Sequence, residues 1–197
     1  MREMISMVVV LTVLSAFSGG LLATVRSNTQ DRIENQVLKF QKAPAIKAIL
    51  SDVSNDPLQD RFKLTTDGIE NTFFVGKQDG KAASVAFETK GKGFEGEIGL
   101  MVGIDLETDT VIGVRVTTHS ETPGVGSRAK DDPSFASQFE GQSLDNGFSV
   151  KSDGGAIDAM SGATITSKGV CLAATKAQEL YTKLKPEINN QITNLAN

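Results

Sequence analysis

The sequence predicts an α+β fold: one N-terminal transmembrane helix followed by a domain with an antiparallel sheet and flanking helices. Three observations predict it. The first 25 residues are almost free of charge, the middle of the chain alternates in the manner of paired strands, and the last third carries a long helical pattern.

From Met4 to Val25 no residue is charged. As a helix that run extends roughly 33 Å, enough to cross a bilayer core. A cleaved signal peptide is the competing reading. Its basic region would be only Met1–Glu3, and Ser15-Ala16-Phe17-Ser18 is a poor cleavage site, with the apolar run continuing to Val25. A retained anchor over residues 1–27 is therefore expected. Arg2 on one side and Arg26 and Arg32 on the other leave its orientation open by charge.

Residues 28–72 are expected as a helical connector and linker. Ile33, Val37 and Phe40 follow helical spacing, Pro44 breaks the pattern, and a second short helix follows through Ile46, Ile49 and Leu50. Residues 51–71 are polar and turn-rich, as in a linker or surface loop. Residues 73–197 form the expected domain. Its first hairpin joins Phe73–Gly76 to Ala83–Glu88 through an Asp79-Gly80 turn. A second pair joins Glu97–Asp105 to Thr110–Thr118, whose alternation suits a sheet with one buried face. A long loop over His119–Asp132, a short helix over Pro133–Phe139 and a possible strand at Phe148–Lys151 follow. A final helix starts at Thr166 or Ser167, with Val170, Leu172, Ala173, Ala177, Leu180 and Leu184 as its apolar positions, and stops at Pro186.

Composition excludes several chemistries. A net charge of -4 leaves no basic excess for a general nucleic-acid binder. One Cys and one His exclude a disulfide framework and a cysteine-based metal centre, so no metal is expected. Cys171 reads as a packed small residue, and Met101 as core.

The densest chemical signal is Asp158-Ala159-Met160-Ser161-Gly162-Ala163-Thr164-Ile165-Thr166-Ser167. A helix start needs one capping hydroxyl, and this stretch holds four (Ser161, Thr164, Thr166, Ser167). A small-residue loop entering a helix N-terminus is a ready anion site, because free N–H groups converge there and the helix dipole favours negative charge. The pattern is neither a P-loop nor a dinucleotide-binding turn.

The same stretch resembles the flavinylation motif D-x-x-[ST]-G-A-T-x-T of the FMN-binding domain family. Gly93–Ile104 resembles that family's glycine-rich strand, and His119-Ser120-Glu121-Thr122-Pro123-Gly124-Val125-Gly126 resembles its H-x-E-T-P-G-x-G loop. With an anchor and a length near 200, the chain resembles the G subunits of Rnf ion-translocating electron transport complexes. The related C subunits of sodium-translocating NADH:quinone oxidoreductases are usually longer.

The resemblance implies a membrane-anchored flavoprotein that relays electrons within a ferredoxin- and NAD-linked complex translocating Na⁺ or H⁺. It implies an electron-transfer component rather than a self-sufficient enzyme, with no catalytic residues of its own. FMN would be attached through its phosphate to Thr166. Ser161, Gly162, Ala163 and Thr164 would line the phosphate and ribityl chain. His119, Glu121, Thr122, Gly124 and Gly126 would pack against the isoalloxazine. Asp158 would serve recognition or the turn. Implied partners are the other membrane subunits, one of them also carrying covalent FMN, and a flavin transferase during maturation. The domain would lie on the extracytoplasmic side of the cytoplasmic membrane. The alternative is an anchored extracytoplasmic FMN-binding module, regulatory or electron-transferring, outside an ion pump.

Overall fold

A computed structural model describes residues 1–145 and 147–195; residues 196–197, the end of the expected domain, lie outside it. The chain divides into two compact units, Met1–Phe40 and Gln41–Asn197.

The first unit is helical. Helix α1 spans Arg2–Val37, and its apolar stretch is exposed and long enough to cross a membrane. A π-helical segment follows at Leu38–Lys42, and α2, Ala43–Ile49, belongs to the second unit. The expected break near Pro44 is thus a widening. Pro44 has no N–H to give, and its ring crowds the carbonyl four residues back, so the helix loosens ahead of it.

The second unit is built on an antiparallel meander in the order β1-β2-β3-β4-β5. The strands are β1 Arg61–Thr66, β2 Ile69–Gln78, β3 Lys81–Lys92, β4 Glu97–Asp105 and β5 Val111–Thr118. Both two-residue Asp-Gly turns place their residues at positive φ: Asp67 and Gly68 between β1 and β2, Asp79 and Gly80 between β2 and β3. That geometry matches the right-handed twist of the strands it joins. The stretch 51–71, expected as a linker or loop, therefore supplies β1 and the start of β2. Asn55 ties it to the sheet: its side-chain amide donates to Asp60 and to the Val75 carbonyl, and its oxygen accepts from the Lys77 N–H.

Helix α5, Thr164–Leu195, lies across the face of the sheet formed by β3 and β4. Val85, Phe87, Ile98, Leu100, Val102 and Ile104 point into that layer and meet Val170, Ala173, Ala174 and Ala177. The helix does not stop at Pro186. Ile188 beyond it is fully buried in the same core. A buried Ile returns about 1.5–3 kcal/mol, comparable to the roughly 3 kcal/mol an interior proline costs. The opposite face is covered as well: α2 packs on β4 and β5, with Ile49 directly over Gly103. This explains why both faces of β5 are largely buried, where one buried face was expected.

Between β5 and α5 the chain forms the loop 119–127, α3 Arg128–Asp131 and α4 Pro133–Ser137. Asp132 caps α4 by accepting from the Ser134 N–H. The expected strand at Phe148–Lys151 reduces to one bridge, Val150 to Ile157, followed by a short 3₁₀ turn at Lys151–Asp153.

Candidate flavin site at the start of the last helix

Helix α5 begins at Thr164, two or three residues before the expected start, so Thr166 sits inside its first turn. The residue ahead of it, Ala163, has no side-chain oxygen to cap the first-turn N–H groups. The hydroxyls are used otherwise. Ser167 is fully buried; its Oγ accepts the Met160 N–H at 3.0 Å and donates to the Ala163 carbonyl at 2.9 Å. This staple fixes the loop onto the helix, and Gly162 turns at a φ of 77° to permit it. Ser161 and Thr164 are exposed. Thr166 is buried, and its hydroxyl donates to Glu121 Oε2.

Glu121 arrives from the loop 119–127. Its backbone N–H donates to His119 Nδ1 at 3.2 Å, and its Oε1 accepts the Glu95 N–H at 3.0 Å. Thr122 donates to Glu95 Oε1 at 3.2 Å, and the Gly124 N–H donates to Ser127 Oγ at 2.9 Å. Arg128, at the start of α3, donates to the Val125 and Ser161 carbonyls, so one guanidinium joins the loop to the hydroxyl-rich stretch. Asp158 pairs with Lys151 at 2.7 Å, and its backbone is clamped by Gln138.

These segments enclose a cavity of about 310 Å³. Of the residues named from the sequence, Glu121, Thr122, Gly126, Gly162, Ala163, Thr164 and Thr166 line it; Ser161, His119 and Gly124 do not. Sequence reasoning missed Phe94, Val125 and Ile165, which also line it. Among the described residues of the globular unit, six large apolar side chains are exposed: Ile69, Phe94, Val125, Ile165, Leu172 and Leu195. Three of the six border this one cavity, an apolar rim of the kind a planar ring would cover. Arg128 was missed too; its signal was its position two residues after the glycine-rich loop.

The residues fit a flavin phosphate. The first turn of α5 offers uncapped N–H groups and the positive end of the helix dipole. The hydroxyl of Thr166 stands at the cavity wall, and the rim is apolar. A larger hollow of about 650 Å³ lies elsewhere; the ion pairs Lys90–Glu97 and Lys183–Asp67 stand in its wall, and none of the residues of the hydroxyl-rich stretch line it.

Residues 93–179, which span β4, β5 and this site, match the family described as the FMN-binding domain. The G subunit of the ion-translocating oxidoreductase complex of Vibrio cholerae serotype O1 is 34% identical over 193 residues, 92% of each chain. The protein of the same name from Escherichia coli O157:H7 is 34% identical over 194 residues, 93% of each. Among solved structures, Shewanella oneidensis NqrC is 28% identical with a TM-score of 0.50, over 69% of this chain and 73% of that one. The C subunit of the Na⁺-translocating NADH-quinone reductase of Parabacteroides distasonis is 28% identical with a TM-score of 0.48, over 58% and 62%.

Proposed function

The chain belongs to the family of G subunits of ion-translocating oxidoreductase complexes, and from that premise we propose that it carries FMN as a phosphoester on Thr166 and passes electrons through it within such a complex. One observation carries the reading: the Thr166 hydroxyl stands in the first turn of α5, at the wall of a cavity whose rim is apolar. A phosphate there meets uncapped N–H groups and the helix dipole. Phe94, Val125 and Ile165 would cover the ring, while Thr122 and Gly126 let it approach. Arg128 would hold the two walls together. When bound, FMN supplies one- and two-electron transfer; the protein supplies position and shields the linkage from water. A covalent tether keeps the flavin in place where free flavin is scarce.

Helix α1 would span the cytoplasmic membrane once, with the flavin domain on the extracytoplasmic side. The partners would be the other membrane subunits, including a second one with covalent FMN, and the flavin transferase that matures this chain. A stand-alone module outside an ion pump gains no support, since relatives named as parts of such a complex align over more than nine-tenths of their length.

Intact mass of the denatured full-length chain, co-produced with a flavin transferase, tests the attachment. Wild type should gain the mass of FMN less one water, and Thr166→Ala should not. Modification that persists in Thr166→Ala, or is absent from wild type, overturns the assignment.

A further inference from the structure

Glu121 is almost completely buried, and no Lys, Arg or His side chain pairs with it among the described residues. A buried carboxylate without a cation is an expensive arrangement that needs a reason. Its two oxygens are used separately. Oε1 is pinned by the Glu95 N–H at 3.0 Å, and Oε2 accepts a hydrogen bond from the Thr166 hydroxyl.

Two glycines make room for this contact. A Cβ on Gly93 would lie 2.5 Å from Glu121 Oε1. A Cβ on Gly126 would lie 2.8 Å from Glu121 Oε2 and 2.9 Å from Thr166 Oγ1. The glycine-rich strand and the 119–126 loop thus each leave out a side chain beside the carboxylate, Gly93 at the oxygen held by Glu95 and Gly126 where the other oxygen meets the hydroxyl. Helix capping does not require this, because Thr166 already lies within the helix and Ser167 secures the loop.

We infer that Glu121 is the general base that activates Thr166 for its own modification, so that the chain brings both the nucleophile and its base to the transferase. The inference rests on the proposed attachment at Thr166. The donor is a flavin adenine dinucleotide. Thr166 Oγ attacks the phosphorus on the riboflavin side of the pyrophosphate, and the Oγ–P bond forms. The bond from that phosphorus to the bridging oxygen breaks, and AMP leaves with that oxygen. The hydroxyl proton passes to Glu121 Oε2 and then to solvent. No electron changes hands. The role parallels the carboxylate that orients the attacking hydroxyl in phosphoryl transfer by protein kinases. Once the ester has formed, Oγ has no proton to donate, so this hydrogen bond belongs to the unmodified chain.

The test is a time course of intact mass for the purified full-length chain in detergent, with flavin transferase and FAD both varied to saturation. Glu121→Gln keeps the shape and removes the base. Its maximal rate should fall about a hundredfold or more, within the range general bases supply, while the half-saturating concentrations of FAD and of the chain stay at their wild-type values. Glu121→Asp, which draws the carboxylate back by one methylene, should react at a rate between the two. A natively melting Glu121→Gln that is modified within about threefold of the wild-type rate overturns the inference and places the base on the transferase. If Glu121→Gln loses the native transition, Glu121→Met, of similar volume and likewise without a base, carries the same criterion. A wild-type chain that gains no mass overturns the attachment itself, and Thr166→Ala distinguishes that result from a failure of the base alone.

Discussion

The seating of α5 decides where Thr166 stands, and backbone meets backbone where the helix crosses β3. Gly91 in β3 faces Gly169 in α5 so closely that a Cβ on Gly91 would fall 1.9 Å from the Gly169 carbonyl oxygen and 2.9 Å from the Ala173 nitrogen. A Cβ on Gly169 would in turn lie 2.7 Å from the Lys92 carbonyl oxygen. Both sides are backbone, so no flexible side chain can give way. In Gly91→Ala the helix must retreat by about 1.1 Å before that oxygen is 3.0 Å away. Overpacking typically costs 1–3 kcal/mol, and with backbone on both sides the upper end applies, about 3 kcal/mol. For a unit of this size that lowers the melting midpoint by roughly 6–12 °C. The retreat also strains the bond from Thr89 Oγ1 to the Ala173 carbonyl, now 2.8 Å. The assay is thermal unfolding of the full-length chain in detergent, followed by circular dichroism, with Gly96→Ala as control. Gly96 has nothing within 4 Å of its would-be Cβ, and that change should be neutral or stabilising by up to about 1 kcal/mol. A Gly91→Ala midpoint within about 2 °C of wild type would refute the reasoning and show that the helix floats on the sheet.

Three further outcomes are expected. Ser167→Ala removes the acceptor of the buried Met160 N–H, which should destabilise by about 1–3 kcal/mol and slow flavin attachment, read by a melt and by intact mass. Asp60 is held below its ordinary value of 3.8 chiefly by the Asn55 amide, against partial burial and with help from the Lys77 ammonium. A carboxyl depressed in the folded state stabilises fully above its unfolded value and loses that contribution as pH falls through the folded one. Asn55→Ala should therefore melt lower than wild type at about pH 7 by the equivalent of about 1–3 kcal/mol, with the gap shrinking below about pH 4; an equal gap at both would refute it. Burial pushes the Cys171 thiol up to about 12, so a thiol reagent at about pH 8 should label it only on the unfolding timescale, and fast labelling of native chain would refute that.

The strands that alternate strongly were legible in the sequence, and the weakly patterned one was not. The Asp79-Gly80 turn and the apolar runs on either side of it gave β2 and β3 away. Asp67-Gly68 carries the same chemistry and makes the same positive-φ turn, yet β1 before it has only Phe62 fully inward. An edge strand with one anchoring residue looks like a loop because most of its side chains meet water. The cover on the second face of the sheet was hidden for a different reason. Gly103 and Gly113, both inside expected strands, are the seats for Ile49 from a helix more than fifty residues earlier. Periodicity within a strand reports that a face is buried and says nothing of what buries it. Pro186 misled in the opposite sense, because the local rule that proline ends a helix was outweighed by the burial of Ile188 beyond it.

The hydroxyl cluster shows where local reading ends. Composition marked four hydroxyls as too many for a cap, and spacing placed them at a helix start. Their division of labour is a matter of tertiary geometry. Ser167 turns inward to staple Met160, so it is structural. Ser161 contributes its carbonyl to Arg128, so its hydroxyl is incidental to that contact. Thr164 borders the cavity while exposed. Thr166 alone meets a buried carboxylate, and that carboxylate comes from 45 residues earlier in the chain. Nothing in the short motif contains Glu121, and nothing in the 119–126 loop contains Thr166. What links them is the pair of glycines whose missing side chains leave the space for the contact. Each glycine taken alone is a turn residue, and only the folded chain shows that both clear space beside one carboxylate, Gly93 at Oε1 and Gly126 where Oε2 meets the hydroxyl.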